Sequence, residues 1–449
     1  MIGLSHPASS PAVRPAGGVA GGTGRPVRVL FLNDTARNGG PGRSLHSILR
    51  FVDPAVVHRC VVLPREGAVA DILRTDAVAD ELLFEPDLVE NPIEPWDRPM
   101  ERADFDAPAL VKAARLLGNV AKATRGLARL ARLVRRRRID LLYCNGTNAN
   151  FAGGALAGIT GVPALWHVRY SYLPRAVEGL HRRLAASLGV RRVVCVSGAS
   201  AALFPHCPGK VTVIHNGLDV ERFAPGAVEG TLRRELGLGP DVVVFGSHGR
   251  VLRRKGYVEM VRAAKAASAR LAAQGGPRAV FVVVGDTPQD FAADHVAECR
   301  ALAAELGVSR DVHFVGFRSD VRPLVADFDV AVVPSVYPDP LPRSVIESMA
   351  LGKPVVAFSV GGVTEMLDGG AAGELVAFAP DEPGSHRADA ASVERLADAF
   401  VRYAIDPALR ARQGTAARVR VEQDFDARAH ALRIQAEIVR VARPGEART

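Results

Sequence analysis

The chain has 449 residues, 48% of them apolar and 23% charged, a globular balance that excludes collagen-like, disordered and disulfide-scaffold proteins and leaves room for two or three domains. Aromatic residues make up only 6%, too few for a base-stacking surface, so no nucleic-acid partner is expected. The net charge of +9 is local: residues 80–106 hold ten acids against two arginines, and residues 107–139 hold ten basic residues and no acid.

Residues 1–25, rich in Gly, Pro, Ala and Ser, read as a disordered tail, and residues 443–449 as a second one. The start, MIGLSHPASS, lacks the basic-then-apolar layout of a signal peptide. Five widely spaced cysteines without C-x-x-C read as unpaired thiols in a reducing compartment. The longest uncharged run, Cys144 to Val168, is broken by glycines, a proline and three asparagines, so no membrane span is expected there. A cytoplasmic location follows.

Order is predicted from RPVRVLFLND onward. An apolar run, Val27 to Leu32, leads through a glycine loop into a helical pattern from Ser44. Further strand-like runs are Cys60–Leu63, Asp140–Tyr143, Ala164–Trp166, Arg192–Val196 and Val211–Ile214. After the turn signal His215-Asn216-Gly217, Asp241–Gly246 opens a second series, continued by Ala279–Val284, Val312–Val315, Val330–Val333 and Pro354–Phe358. Short buried strands alternating with helices predict an α/β protein with two Rossmann-like, doubly wound parallel sheets facing across a cleft. The predicted division is 26–216 for the first domain and 217–424 for the second, with a last helix over 425–442 returning to the first.

Three segments carry chemistry. In YPDPLPRSVIESMALGKPVVAFSVGGVTEML, Asp339 and Glu347 straddle a helix start near Arg343. Free N–H groups at such a start suit a phosphate, and a carboxylate suits a sugar diol. In SHGRVLRRKGYVEM, Arg250 and Lys255 bracket a loop at a strand's carboxyl end. Two such cations hold a diphosphate and stabilise a leaving phosphate without a metal. The chain has 51 arginines and only 6 lysines, so a lysine at 255 points to a compact point charge rather than a planar fork. The third segment, Asn38-Gly39-Gly40-Pro41-Gly42-Arg43-Ser44, allows close backbone approach. It is not G-x-G-x-x-G, which disfavours a nicotinamide cofactor. His167, with Arg169 two residues on, stands where a strand end meets the cleft and suits a sugar hydroxyl; a core histidine is the competing reading. Asp327-Phe328-Asp329 spells D-x-D but directly precedes an apolar strand, so it reads as a helix end. No histidine cluster with metal-ligand spacing occurs, and no metal is expected.

Together these segments resemble glycosyltransferase family 4, the retaining glycosyltransferases of the GT-B fold, over about residues 27 to 440. VIHNGLDVERF resembles the family's linker turn, and GRVLRRKG, with Gly249, its R-x4-K. HFVGFRSDVRPLVADFDVAVVPS, with Gly316, resembles the stretch before the acidic motif, and PDPLPRSVIESMALGKPVVAFSVGGVTEML the E-x7-E region with its following G-G-x-x-E. The resemblance implies that Arg250 and Lys255 meet the donor diphosphate, Glu347 the ribose and Asp339 the transferred hexose. It further implies that the backbone around Ser344 and Val345 meets the phosphates, and that Gly39, Gly40 and His167 lie near diphosphate and sugar. The chain departs from the pattern at Asp339, one methylene short of the usual glutamate, at Pro342 for glycine, and at Arg343 for an apolar residue, the last two at the donor sugar's edge. The implied reaction is metal-independent transfer, with retention, of a hexose from a UDP- or GDP-sugar to a sugar, lipid-linked or polysaccharide acceptor, as in glycan, polysaccharide or glycolipid biosynthesis. No cofactor is implied beyond the nucleotide sugar as co-substrate. Two alternatives stay open: a nucleotide-sugar epimerase or phosphorylase on the same scaffold, and a non-catalytic nucleotide-sugar-binding subunit.

Residues 110–138 read as helix, interrupted by Gly118 and Gly126, with Leu116, Val120, Leu127 and Val134 on one face and Arg115, Lys122, Arg129 and Arg136 on the other. A cationic amphipathic helix in the acceptor half suits an anionic membrane surface, as on the inner face of the membrane; a merely solvated cationic face is the competing reading. The acidic stretch Glu81–Asp106 reads as an acceptor lid.

Overall fold

The computed structural model describes residues 25–36, 39–88, 109–288, 293–382 and 384–445. Nearly all of the first tail, residues 446–449 of the second, Asn38, and the expected lid beyond Leu88 lie outside the described residues.

Two parallel sheets form the frame. The first holds β1 (Val27–Asn33), β2 (Val57–Leu63), β3 (Glu81–Phe84), β4 (Leu141–Asn145), β5 (Ala164–Val168), β6 (Val190–Cys195) and β7 (Val211–Val213), in the order β3-β2-β1-β4-β5-β6-β7. The second holds β8 (Val243–His248), β9 (Ala279–Val284), β10 (Val312–Phe314), β11 (Val330–Val333), β12 (Val355–Phe358) and β13 (Gly373–Val376), in the order β10-β9-β8-β11-β12-β13. Helices cover both faces of each, so the central strands are buried throughout and apolar but for Asn145 and His167: every residue of β4, β5, β9, β11 and β12 is buried. In each sheet the strand order reverses once, between β1 and β4 and between β8 and β11. Ligands of such sheets bind outside the carboxyl ends of the strands at that reversal.

Side chains from alternate positions divide the first sheet's core in two. Leu30, Leu32, Cys144 and Trp166 face one layer; Val29, Phe31, Leu141 and Tyr143 face the other. The second layer is completed by Ile434 and Ile438 of the last helix, Ala427–Ala442. Asp426 starts that helix by accepting a hydrogen bond from Ala429 N at 2.7 Å. The chain therefore crosses between the sheets twice, and the two crossings run side by side. Leu218 N donates to Phe425 O at 2.7 Å, and Ala427 N to Leu218 O at 2.9 Å. A Cβ on Gly217 would lie 2.4 Å from Ala427 Cα, so the crossings approach this closely only with glycine there.

Two expectations need correction. The helix Ala109–Arg136 is continuous through Gly118 and Gly126. Gly126 is no interruption but the point of closest approach to a neighbouring loop, where a Cβ would lie 2.8 Å from Asp87 O. The helix also does not present one unbroken amphipathic face. Leu130, Ala131 and Val134 are buried in its second half, while Leu110, Leu117 and Val120 of the first half stand exposed among the described residues. Part of its charge is neutralised by the neighbouring acids: Arg129 pairs with Glu85 at 2.7 Å and with Asp87, and Arg125 with Asp87 at 3.4 Å. No described helix is long and apolar enough to cross a membrane.

Candidate active site

A cleft of about 460 Å³ opens where the carboxyl ends of the two sheets face each other. From the first sheet it takes Gly39, Gly40, Arg43 and Arg169; from the second, Gly249, Arg250, Lys255, Asp339, Arg343 and Glu347.

The lysine is placed by a glycine. Gly256 adopts φ +75°, and a Cβ there would lie 1.7 Å from Pro334 O. The turn is thereby pressed against the end of β11, and Lys255 Nζ reaches Asp339 Oδ2 at 2.6 Å. The Asp339 loop is fixed in the same way from its other side, because Gly362 N donates to Asp339 O at 2.8 Å and a Cβ on Gly362 would lie 1.8 Å from Pro340 O. Burial pushes the Asp339 carboxyl up, but the charge and hydrogen bond of Lys255 outweigh it, with help from Arg254, and hold it below the usual range.

Glu347 is buried one turn into the helix Arg343–Ala350. Its two oxygens are both engaged, Oε2 by His248 Nε2 at 3.0 Å and Oε1 by Arg343 at 3.0 Å. Burial raises its pKa; Arg343, His248 and Arg43 bring it down to about 2. Arg343 and Ser344 line the cleft at the first turn of that helix, where backbone N–H groups have no intrahelical acceptor. Val345 does not line the cleft: its side chain is in the core, and its N–H already donates to Pro342 O at 3.1 Å. Gly316 is likewise absent from the lining. It forms an isolated antiparallel bridge with Gly285, and its neighbours Phe317 and Arg318 line the cleft instead.

His167 is the clearest correction. As the fourth residue of a central strand it is fully buried, and the core-histidine reading holds. Its Nδ1 bonds the Tyr143 hydroxyl and accepts from Arg169 at 3.2 Å. Arginine only donates, so Nδ1 is the acceptor and Nε2 carries the proton. Burial, then Arg169 and His430, keep the ring neutral by lowering its pKa well below the ordinary value. The residue that reaches the cleft is Arg169, just past the strand end. It donates from Nε to Asn145 Oδ1 at 2.6 Å and also bonds Asn216 Oδ1 of the linker turn. Asn145 Nδ2 in turn donates to Asn33 Oδ1 at 2.6 Å and to Pro41 O at 3.1 Å, tying the glycine loop to the same network.

The D-x-D pair has structural work. Asp327 accepts from Arg233 N at 2.9 Å, and Asp329 accepts from Val244 N at 2.8 Å and pairs with Arg233 at 2.7 Å. Among the described residues no group of three or more His, Cys, Asp or Glu side chains gathers as a metal site.

Two facing, doubly wound domains joined by paired crossings, with a cationic cleft between their strand ends, are the GT-B architecture. Two family models match the chain and together cover more than half of it: "Glycosyltransferase Family 4" over residues 93–222 and "Glycosyl transferases group 1" over residues 239–399. The chain belongs to this glycosyltransferase family. It is 34% identical over 253 residues to the alpha-maltose-1-phosphate synthase of Mycobacterium tuberculosis (strain CDC 1551 / Oshkosh), a match covering 54% of this chain and 60% of that protein. It is 38% identical over 241 residues to the D-inositol 3-phosphate glycosyltransferase of Stackebrandtia nassauensis, covering 48% of this chain and 52% of that one. Among solved structures, Anabaena Alr3699/HepE in complex with UDP and glucose superposes with a TM-score of 0.69 at 24% identity, over 92% of this chain and 99% of that one, and shows the shared fold.

Proposed function

We propose that the protein transfers a hexose from a UDP- or GDP-sugar to an acceptor hydroxyl, with retention of anomeric configuration and without a metal. The observation that carries this is the pairing of each acid with a cation on one wall of the cleft, Lys255 with Asp339 and Arg343 with Glu347. A donor diphosphate would take over Lys255 and meet Arg250 and the amides of Arg343 and Ser344. The released Asp339 would accept from hexose hydroxyls, and Glu347 from the ribose. The names of the similar proteins support a sugar-transfer reading, and the complex of the Anabaena protein with UDP and glucose supports a UDP-sugar donor.

In the step itself the bond from the anomeric carbon to the diphosphate breaks while the acceptor oxygen bonds the same face. The acceptor's proton passes to the departing phosphate oxygen. Arg250 and Lys255 stabilise the negative charge that grows on the diphosphate, which is the part fixed cations play best in a water-poor cleft. The product glycan, polysaccharide or glycolipid would leave from the first domain's side. The exposed first half of the helix Ala109–Arg136 suits an anionic membrane surface bearing such an acceptor.

The test is turnover of UDP- and GDP-sugars against a panel of acceptors, with the anomeric configuration of the product read by NMR. An α-linked product from an α-linked donor supports the reading. An inverted product sinks the same-face step, and interconversion of the donor sugar without transfer favours the epimerase.

A further inference from the structure

Glu259 is a buried carboxylate that the proposed reaction does not use. It stands in the first turn of the helix Tyr257–Ala273, where Tyr257, Val258, Met260 and Val261 are buried with it. Its side chain is 2% exposed. An uncompensated charge in such surroundings is strongly destabilising. The counter-charge is Arg253, whose Nη1 donates to both Glu259 oxygens, at 3.2 and 3.0 Å. Arg253 does not line the cleft, whereas its neighbours Arg254 and Lys255 do.

This ion pair spans the turn that carries Lys255. Arg253–Lys255 form a single 3-10 turn, in which Lys255 N donates to Leu252 O at 2.9 Å and Gly256 N to Arg253 O at 3.1 Å. Gly256, at φ +75°, then turns the chain into the helix. The pair thus ties the turn to the helix on the side away from the cleft. Successive side chains of the turn go three ways: Arg253 to Glu259, Arg254 over the Tyr337 ring at 5.1 Å, and Lys255 to Asp339 at 2.6 Å. Val336 N also donates to Arg254 O at 3.1 Å. Carboxylates therefore match the first and the last of three adjacent cations.

We propose that Glu259 is a positioning residue: acting through Arg253, it fixes the turn so that Lys255 Nζ meets the donor diphosphate. This rests on the glycosyltransferase reading. Lysine is a point charge on a flexible stem, so its placement depends on the backbone beneath it. Without the carboxylate, the Arg253 guanidinium loses its counter-charge and turns to water, and the backbone under Lys255 is released. A buried ion pair adds little net stability over apolar residues of similar volume. What it adds here is the geometry of the turn.

The experiment is calorimetric titration of the nucleoside diphosphate the protein prefers, on the full chain, with melting curves alongside. Glu259→Gln strands Arg253 and should lower both Tm and affinity. Replacing both partners, Arg253→Met with Glu259→Leu, separates the two effects. That double variant is expected to keep the parent's Tm yet bind the nucleotide about tenfold more weakly. Placed on Lys255→Ala, the same double replacement should change affinity by less than about twofold, because the residue it acts through is gone. Glu259→Asp, which keeps the charge one methylene shorter, should fall between the parent and Glu259→Gln. If the double variant does not fold, Glu259→Asp decides, compared with and without Lys255. A loss of affinity that appears only with Lys255 present supports the proposal. Full affinity in the double variant overturns it, and so does a loss that persists undiminished on Lys255→Ala. If the parent binds no nucleotide at all, the donor reading fails first and this inference with it.

Discussion

Glu347 sits between His248 and Arg343 with almost no exposure to water, which makes it the most constrained acid of the cleft. Its folded pKa of about 2 lies below the ordinary carboxylate value of about 4.3. The stability it brings is therefore complete above that pH and is lost as pH falls towards 2. Glu347→Gln should leave the protein folded at neutral pH and raise the nucleotide-sugar Kd at least tenfold, about 1.4 kcal/mol, by calorimetry. The opposite case is His181, packed among Phe151, Trp166, Tyr170 and Phe204. Burial, with His206 beside it, lowers its pKa to about 4. Between that value and about 6.5 the unfolded chain binds more protons, so this contribution is complete above 6.5 and is lost as pH falls to 4. His181→Phe should flatten the fall in Tm over that window, a difference on the order of 3 kcal/mol between its ends. An unchanged pH profile would remove His181 from the account.

At the scale of elements, the turn at Gly256 joins β8 to the helix Tyr257–Ala273 and sets Lys255. Gly256→Ala would drive a Cβ into Pro334 O and force a left-handed conformation on alanine. The expected outcome is a loss of about 2 kcal/mol or more in denaturant unfolding, with donor affinity falling alongside. The helix Ala109–Arg136 yields a separate test: co-sedimentation with vesicles containing anionic lipid, weakened by salt and reduced in Leu117→Glu. Binding that ignores lipid charge, or none, would leave that helix a packing element. Eleven of the thirteen strands were legible as apolar runs, most because they are buried on both faces, and the edge strands β7 and β10 because they carry no charged residue. The two that were not, β3 and β13, lie at sheet edges, short and half-exposed, with Glu81 and Glu374 inside them. Gly126 was misread because a helical glycine looks the same in sequence whether it breaks a helix or lets a loop approach it.

For the whole molecule, the motif order made the donor side of the cleft legible: Arg250, Lys255, Asp339 and Glu347 all line it. The facing side was less so. His167 was placed in the cleft because it ends an apolar run, yet only a residue past the strand's last turn of pleat reaches out, and that residue is Arg169. Arg43 lay inside the glycine loop already singled out, but the carboxylate whose charge acts on it, Glu347, belongs to the other domain, which no local spacing encodes. The domains are held together by contacts of that same kind: Glu365 accepts from Gly198 N at 2.9 Å and approaches His215 at 3.3 Å, and Ser171 bonds Pro338 O. The cleft is thus a property of two sheets that meet late in the chain. The measurement that bears most directly on it is calorimetric titration of UDP, GDP and ADP in EDTA, on the protein and on Lys255→Ala and Glu347→Gln. The account predicts saturable binding of one nucleotide, indifferent to EDTA and at least tenfold weaker in both variants. No binding tighter than 1 mM, about −4 kcal/mol, or binding that requires a divalent ion, would contradict it.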